Sequence, residues 1–176
     1  MSDSTESPAW LAGRMAGPDA PSCAHDREPA RGGFRAYFLR KADALSLEDW
    51  QRLDTGDDPF LSHAFLAAAE ASGAAAPRLG WQPMHLVLRD GQDGLAGFLP
   101  LYLRRHSFGD FSHDWNWPSA WQQYGLPYYP KLVSGIPFTP SPGPRLAVVQ
   151  DAPPATRTAL LHAVLDCAAK LGVSSW

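Results

Sequence analysis

The spacing of apolar residues divides the chain into a patternless start and a patterned remainder. Residues 1–32 are rich in Pro, Ala, Gly, Ser and Asp and show no period, the composition of a disordered leader. The run FRAYFLR at 34–40 reads as a strand. SLEDWQRL at 46–53 predicts a short helix with Ser46 as N-cap and Glu48 and Asp49 in its first turn. A second helix is expected over 59–72, capped by Asp58 or Ser62, with Phe65, Leu66 and Ala69 as its buried stripe and Gly73 as its stop. Residues 84–89 and 95–104 form a hairpin across the turn DGQDG. Met84, Leu86 and Leu88 share one face of the first strand, and Leu95, Leu99, Leu101 and Leu103 one face of the second. Val87, Phe98 and Tyr102 make the opposite faces apolar too, so this sheet is covered on both sides. A helical turn at 118–124 and a strand at 132–138 follow. Residues 156–171 are an amphipathic helix with Leu160, Leu161, Val164, Leu165, Ala168 and Leu171 on one face and Gly172 as its end. This order predicts an α/β (α+β) fold, a mixed sheet flanked by helices. The last residues, Val173 to Trp176, read as the start of a further strand, since a β-branched residue after a helix-ending Gly continues a chain into a sheet.

The segment 111–145 departs from every periodic template. Eight aromatics fall between Phe108 and Tyr129, and between Asp114 and Arg145 the sole full charge is Lys131. Seven prolines lie between Pro118 and Pro144, which excludes one plain helix or a central strand. So much apolar area is expected to be packed, as the irregular wall of the main pocket beside the strand at 132–138.

Composition narrows the function classes. The chain has 176 residues, enough for one domain with a sizeable core. Net charge is −3 and no basic stripe is present, which argues against duplex DNA or RNA as a partner. Cys23 and Cys167 lie far apart, in the leader and on a helix face, so a disulfide framework is not expected and a reducing compartment fits. No run of about 18 apolar residues spans a membrane, and the N-terminus lacks the pattern of a signal peptide. A cytoplasmic location is the expectation. The six His and two Cys show no metal-ligand spacing, and neither G-x-S-x-G nor a strand followed by G-x-G-x-x-G is present.

Five stretches carry a resemblance: DPFLSHAFLAAAEASG, GWQPMHLVLRDG, GFLPLYLRRHSFGDFSHDW, YGLPYYPKLVSGIPFTPSPGPR and the final helix ending LGVSSW. Together they resemble the bacterial Fem-like family of predicted N-acyltransferases of peptidoglycan biosynthesis or recognition, over residues 34–176. The resemblance implies a GNAT-like acyltransferase fold. Family members are about twice this length and carry two GNAT-like halves. Residues 33–176 therefore resemble a first half-domain, incomplete at its C-terminus and truncated after the fourth strand and the following helix. The related Fem peptidyltransferases move amino acids from aminoacyl-tRNA onto peptidoglycan precursors. The donor implied by the resemblance is acyl-CoA or aminoacyl-tRNA, with no metal. One departure bears on the donor. The Gly-rich Q/R-x-x-G-x-G/A loop that holds coenzyme A in ordinary GNAT enzymes is absent, and the matching place reads TPSPGPR, where proline offers no N–H to a phosphate.

Acyl transfer to an amine needs a deprotonated amine, a held carbonyl and a proton for the leaving group. His113 and Asp114 are candidates for a base or a substrate-orienting pair; the commoner use of Asp at such a place is to cap the next helix. Tyr128 or Tyr129 can supply a phenolic proton, and Lys131 can hold a carboxylate or phosphate; the alternative is one core tyrosine, one outward tyrosine and a solvated lysine. Arg145 either anchors an anionic substrate or pins its Pro-Gly-Pro loop to backbone carbonyls. Trp115, Trp117 and Trp121 can stack on a sugar or base, though core packing is the commoner use of Trp. His63 is read as a surface helix residue, and His85 and His106 as solvent-facing strand positions. The candidate set is thus His113, Asp114 and Tyr128 for catalysis and Trp115, Trp117, Tyr129, Lys131 and Arg145 for substrate.

Two functions compete. One is an N-acyltransferase acting on an amine of a small molecule or cell-wall precursor. The other is a module that binds a glycan or peptide without chemistry, or an inactive fragment. If a second half is missing, an unpaired strand edge and uncovered apolar surface favour self-association.

Overall fold

The computed structural model describes residues 28–29, 31–111 and 114–176. Among these described residues, nine strands and four α-helices follow one another as β1 (Glu28–Pro29), β2 (Arg35–Leu39), α1 (Leu47–Gln51), β3 (Leu53–Asp54), α2 (His63–Ala71), β4 (Trp81–Pro83), β5 (His85–Arg89), β6 (Leu95–Leu99), β7 (Tyr102–Arg104), α3 (Asn116–Gln123), β8 (Lys131–Val133), β9 (Ala147–Val149) and α4 (Pro154–Leu171). They make a six-stranded sheet in the order β1-β2-β5-β6-β9-β3 and a three-stranded sheet in the order β4-β7-β8. The expectation of a mixed sheet is corrected: every pairing between these strands is antiparallel. Residues 1–27 of the expected leader lie outside the described residues. Its end does not, because Glu28–Pro29 pairs with β2. Backbone pairing at a sheet edge needs no side-chain period and tolerates proline.

The helix starts follow from short polar side chains. Ser46 accepts a hydrogen bond from Asp49 N–H at 3.1 Å and opens α1. Asp58 and Ser62, alternatives in the sequence, both cap: Asp58 opens a 3₁₀ turn at Pro59–Leu61 and Ser62 opens α2. Gly172 ends α4 in the left-handed conformation.

The large sheet is buried on both faces, as its apolar alternation requires. On one side Leu86, Leu88, Leu99 and Leu101 pack with Leu160 and Val164 of α4. On the other, Val87, Leu95 and Phe98 pack with Trp50 of α1, with Leu61 of the 3₁₀ turn and with Leu66 of α2. Each such side chain contributes roughly 1.5–3 kcal/mol by leaving water. Leu95, of the same parity as Leu99, lies on the other face. A bulge between Leu88 and Arg89 pairs Leu88 with Gly97 and Arg89 with Leu95, and the extra residue reverses the alternation.

Other expectations are corrected too. The second hairpin strand breaks after Leu99, and residues 102–104 cross into the second sheet; Pro100 lacks the N–H to continue the ladder. The strand at 132–138 is only Lys131–Val133, because Phe138 has φ 55°, outside any strand. On α4 the buried stripe is Thr156, Ala159, Leu160, Val164 and Cys167, while Leu161 and Leu165 are exposed. His85 is buried rather than solvent-facing. Its Nδ1 accepts from Leu101 N–H at 3.3 Å, and its Nε2–H donates to Glu70 Oε1 at 2.6 Å. His63 and His106 are half-buried, His63 against Trp50. Finally, the aromatic segment is not packed. Phe111, Trp115, Trp117, Tyr124 and Leu126 are exposed, since α3 stands off the sheets and contributes no buried residue.

Candidate functional site

Strand β8 and the loop before α3 bring four of the predicted residues into one cluster. In the β7–β8 register Lys131 lies opposite Arg104. Cross-strand partners point to the same face, so two cations meet there and would repel. Each is answered by its own carboxylate. Arg104, almost wholly buried, stacks 3.7 Å above the Trp81 ring and pairs with Asp110 at 2.6 Å. Lys131 pairs with Asp114 at 2.5 Å. Asp114 is fixed by its own N–H donating to Ser107 Oγ at 3.1 Å.

Two tyrosines complete the cluster. Tyr129 O–H donates to Asp114 Oδ2 at 3.1 Å, and Lys131 Nζ donates to the Tyr128 hydroxyl oxygen at 2.7 Å. The two rings meet edge-on at 4.9 Å, and the ammonium lies 4.6 Å from the Tyr128 ring centre. Burial pushes Asp114 up, but the Lys131 hydrogen bond and charge and the tyrosine hydroxyls outweigh it and hold the carboxyl below its ordinary value. Burial lowers Lys131, but Asp114 and Tyr128 more than restore it, so the ammonium is held above its ordinary value. Burial, with the Asp114 charge, pushes the Tyr129 hydroxyl well up. The cluster therefore holds a fixed ammonium, a fixed carboxylate, the neutral Tyr129 phenol and the Tyr128 hydroxyl. Lys131 donates to the Tyr128 oxygen, so the Tyr128 hydroxyl can itself donate, and within the cluster its acceptor is Asp114.

Lys131 also lines an open groove of about 420 Å³, together with Leu132, Val133, Ser134, Ser175 and Trp176. The far wall is the end of the chain. Ser174 N–H donates to Pro130 O at 3.1 Å, Leu132 N–H to Ser175 O at 2.9 Å, and Trp176 Nε1–H to Ser134 Oγ at 2.8 Å. Residue numbers rise together on both sides, so these last residues run alongside β8 in the same direction, as an added strand would.

Asp114, Tyr128, Tyr129 and Lys131 are thus brought together. Asp114 does not cap α3: Trp115 holds the N-cap position and makes no side-chain capping hydrogen bond. His113 lies outside the described residues. Trp115 and Trp117 are exposed on and before α3 and do not line the groove; the expectation of an aromatic-walled pocket is corrected there, because prolines and Gly125 lead α3 outward. Trp121 packs on Tyr128 at 5.7 Å. Arg145 reaches Asp58 at 3.1 Å, Pro144 O at 2.7 Å and Ser141 O at 2.5 Å, which is the loop-pinning alternative; none of these bonds joins the Lys131 cluster. Sequence reading missed Ser107, Ser134, Ser175 and Trp176 as site neighbours. The signal for the last two was present in the strand-like ending of the chain. Among the described residues no group of three or more His, Cys, Asp or Glu could hold a metal ion, and no helix is long and apolar enough to cross a membrane.

No curated protein and no solved structure matches the chain. A family model does: FemAB-like, described as peptidoglycan biosynthesis/recognition, over residues 41–176. That match covers both sheets from β3 onward, the Asp114–Lys131 cluster and the groove, and the chain belongs to the FemAB-like family of peptidoglycan biosynthesis or recognition.

Proposed function

We propose that the groove beside β8 is the substrate site of an N-acyltransferase with GNAT-like architecture, which moves an acyl or aminoacyl group onto an amine of a cell-wall precursor. The observation that carries this reading is that Lys131 belongs to both the hydrogen-bonded cluster and the groove wall. The GNAT-like reading is supported by the order strand, two helices, hairpin, strand and helix, and by the chain end running with β8.

The amine attacks the acyl carbon, a C–N bond forms, and the bond to the leaving oxygen or sulfur breaks. The Lys131 ammonium stabilises the negative charge that develops on the carbonyl oxygen. Asp114, held below its ordinary value, is a poor base and instead fixes Lys131. The Tyr128 hydroxyl gives its proton to the leaving group and is reprotonated from water; the proton lost by the amine leaves through the open side of the groove. The donor is acyl-CoA or aminoacyl-tRNA, which places the reaction in the cytoplasm. A second reading, recognition of a glycan or peptide without chemistry, is favoured by the exposed rings of Trp115 and Trp117.

Mass spectrometry of a peptidoglycan precursor amine incubated with the protein and each donor tests the proposal. A new amide is expected. Tyr128→Phe should slow its formation about 10²–10⁴-fold, and Lys131→Met about 10²–10³-fold. Binding of the precursor without transfer from either donor would contradict acyl transfer and support recognition.

A further inference from the structure

The two sheets meet at one junction, and a buried histidine that plays no part in the chemistry above sits in it. Strand β4 passes into β5 through Met84, and β6 passes into β7 through Pro100 and Leu101, so both segments change sheets side by side. Leu101 is pinned there through both of its backbone groups. Its carbonyl oxygen accepts from Met84 N–H at 2.8 Å, and its N–H donates to His85 Nδ1 at 3.3 Å. The His85 ring is fully buried.

These bonds fix where the ring proton sits. A backbone N–H only donates, so His85 Nδ1 must hold a lone pair and the proton is on Nε2, which donates to Glu70 Oε1 at 2.6 Å. Glu70 is fixed in turn, because its Oε2 accepts from Ala42 N–H at 2.7 Å. Among the described residues the titratable groups that face the imidazole are Glu70 of α2 and Tyr102 of β7, whose ring meets it edge-on at 5.1 Å. Burial, then the Glu70 charge, pushes the Tyr102 hydroxyl up, so that it stays neutral. The remaining neighbours, Phe98 of β6 at 5.5 Å and Leu39 opposite in β2, carry no charge.

A second proton on the ring removes the acceptor. With Nδ1 protonated, N–H faces N–H at Leu101, and two buried donors are left without acceptors, an arrangement that a folded interior does not keep. The imidazolium keeps its charge-assisted bond to Glu70, so the contact that yields is the one to Leu101. Leu101 leads directly into β7, whose Leu103 and Arg104 pair with Leu132 and Lys131 of β8. A shift at the junction is therefore carried into the strand that bears Lys131. We propose that His85 is a proton-operated latch between the two sheets. Neutral, it holds the crossover from β6 to β7; doubly protonated, it releases the crossover and lets the smaller sheet, with its groove, move against the larger one. The inference rests on the geometry of the junction and holds equally for a transferase and for a recognition protein.

NMR of the full chain, with nitrogen labels in the histidine rings and the backbone, tests the latch between about pH 8 and pH 5. At the upper end the His85 ring should show the form protonated on Nε2 alone. On acidification Nδ1 should take up a proton. In the same step the Leu101 amide should lose at least about 10-fold in its exchange protection factor, and the Leu132 amide and Trp176 indole resonances should move. The Leu53 amide, in β3 at the far edge of the larger sheet, should not follow. His106→Gln removes the histidine that follows β7 and should leave the step in place. A His85 ring protonated on both nitrogens at the upper end, a ring that stays neutral until the whole protein unfolds, a His85 step without the Leu101 and Leu132 responses, or a step abolished by His106→Gln would each overturn the latch.

Discussion

Lys131 meets Arg104 across the strand pair, and the two carboxylates beside them are what make that pairing tolerable. Removing Asp114 leaves two cations and one carboxylate. Asp114→Asn should therefore destabilise the fold by about 1–3 kcal/mol, more than an exposed pair is worth. Adding Lys131→Met should recover part of that loss, with a coupling of about 0.5–3 kcal/mol in a double-mutant cycle read by urea unfolding. Additive losses would show that the two side chains do not act together. The same neighbourhood sets a pH dependence. Burial, then the Arg104 charge, lowers the His106 imidazole. A lowered value means that folding disfavours protonation. The contribution is fully present above the unfolded value of about 6.5 and is lost as pH falls through the lower folded value. Asp114 is lowered as well, and its contribution is lost on acidification below about 3.9. The urea midpoint should fall between pH 7.5 and 5.5, and His106→Gln should flatten that decline. A midpoint that rises on acidification would contradict the assignment.

At the scale of elements, α4 lies close on the large sheet because β6 carries Gly97. A Cβ there would stand 2.8 Å from Leu160 Cδ1 and 3.2 Å from Ala147 O. Gly97→Ala should cost about 1–3 kcal/mol by overpacking, and Leu160→Ala in that background should cost less than it does alone. An unchanged midpoint for Gly97→Ala would mean that α4 is not held so closely. Elements set by local chemistry were readable from the chain: the Ser46, Asp58 and Ser62 caps and the Gly172 stop depend on a few adjacent residues. Elements set by distant partners were not. Leu95 changes face through a bulge, and β9 gains its place by pairing with β6 and β3. Leu161 and Leu165 fit an apolar period but sit beyond the stripe that the sheet covers.

At the scale of the whole molecule, the chain passes from one antiparallel sheet to the other between β6 and β7, and the site lies at the β8 side of the smaller sheet. The site residues were readable in part, because Asp114, Tyr128, Tyr129 and Lys131 are unusual polar residues in a nearly uncharged stretch. Its groove was not, because one wall of it is made by Ser175 and Trp176, far along the chain from β8. The aromatic stretch misled for a related reason: hydrophobicity states that a surface needs covering and not whether the same chain covers it.

The central claim is that substrate sits in the groove headed by Lys131. The most direct measurement is an NMR titration that follows the Trp176 indole N–H, which bonds Ser134 across the groove. A peptidoglycan precursor or an acyl donor should shift that resonance saturably in the wild-type protein, and Lys131→Met should weaken the apparent Kd at least about 10-fold, the loss of one charge-assisted contact. A ligand that binds without moving the Trp176 indole, or that binds the Lys131→Met protein equally well, would contradict it.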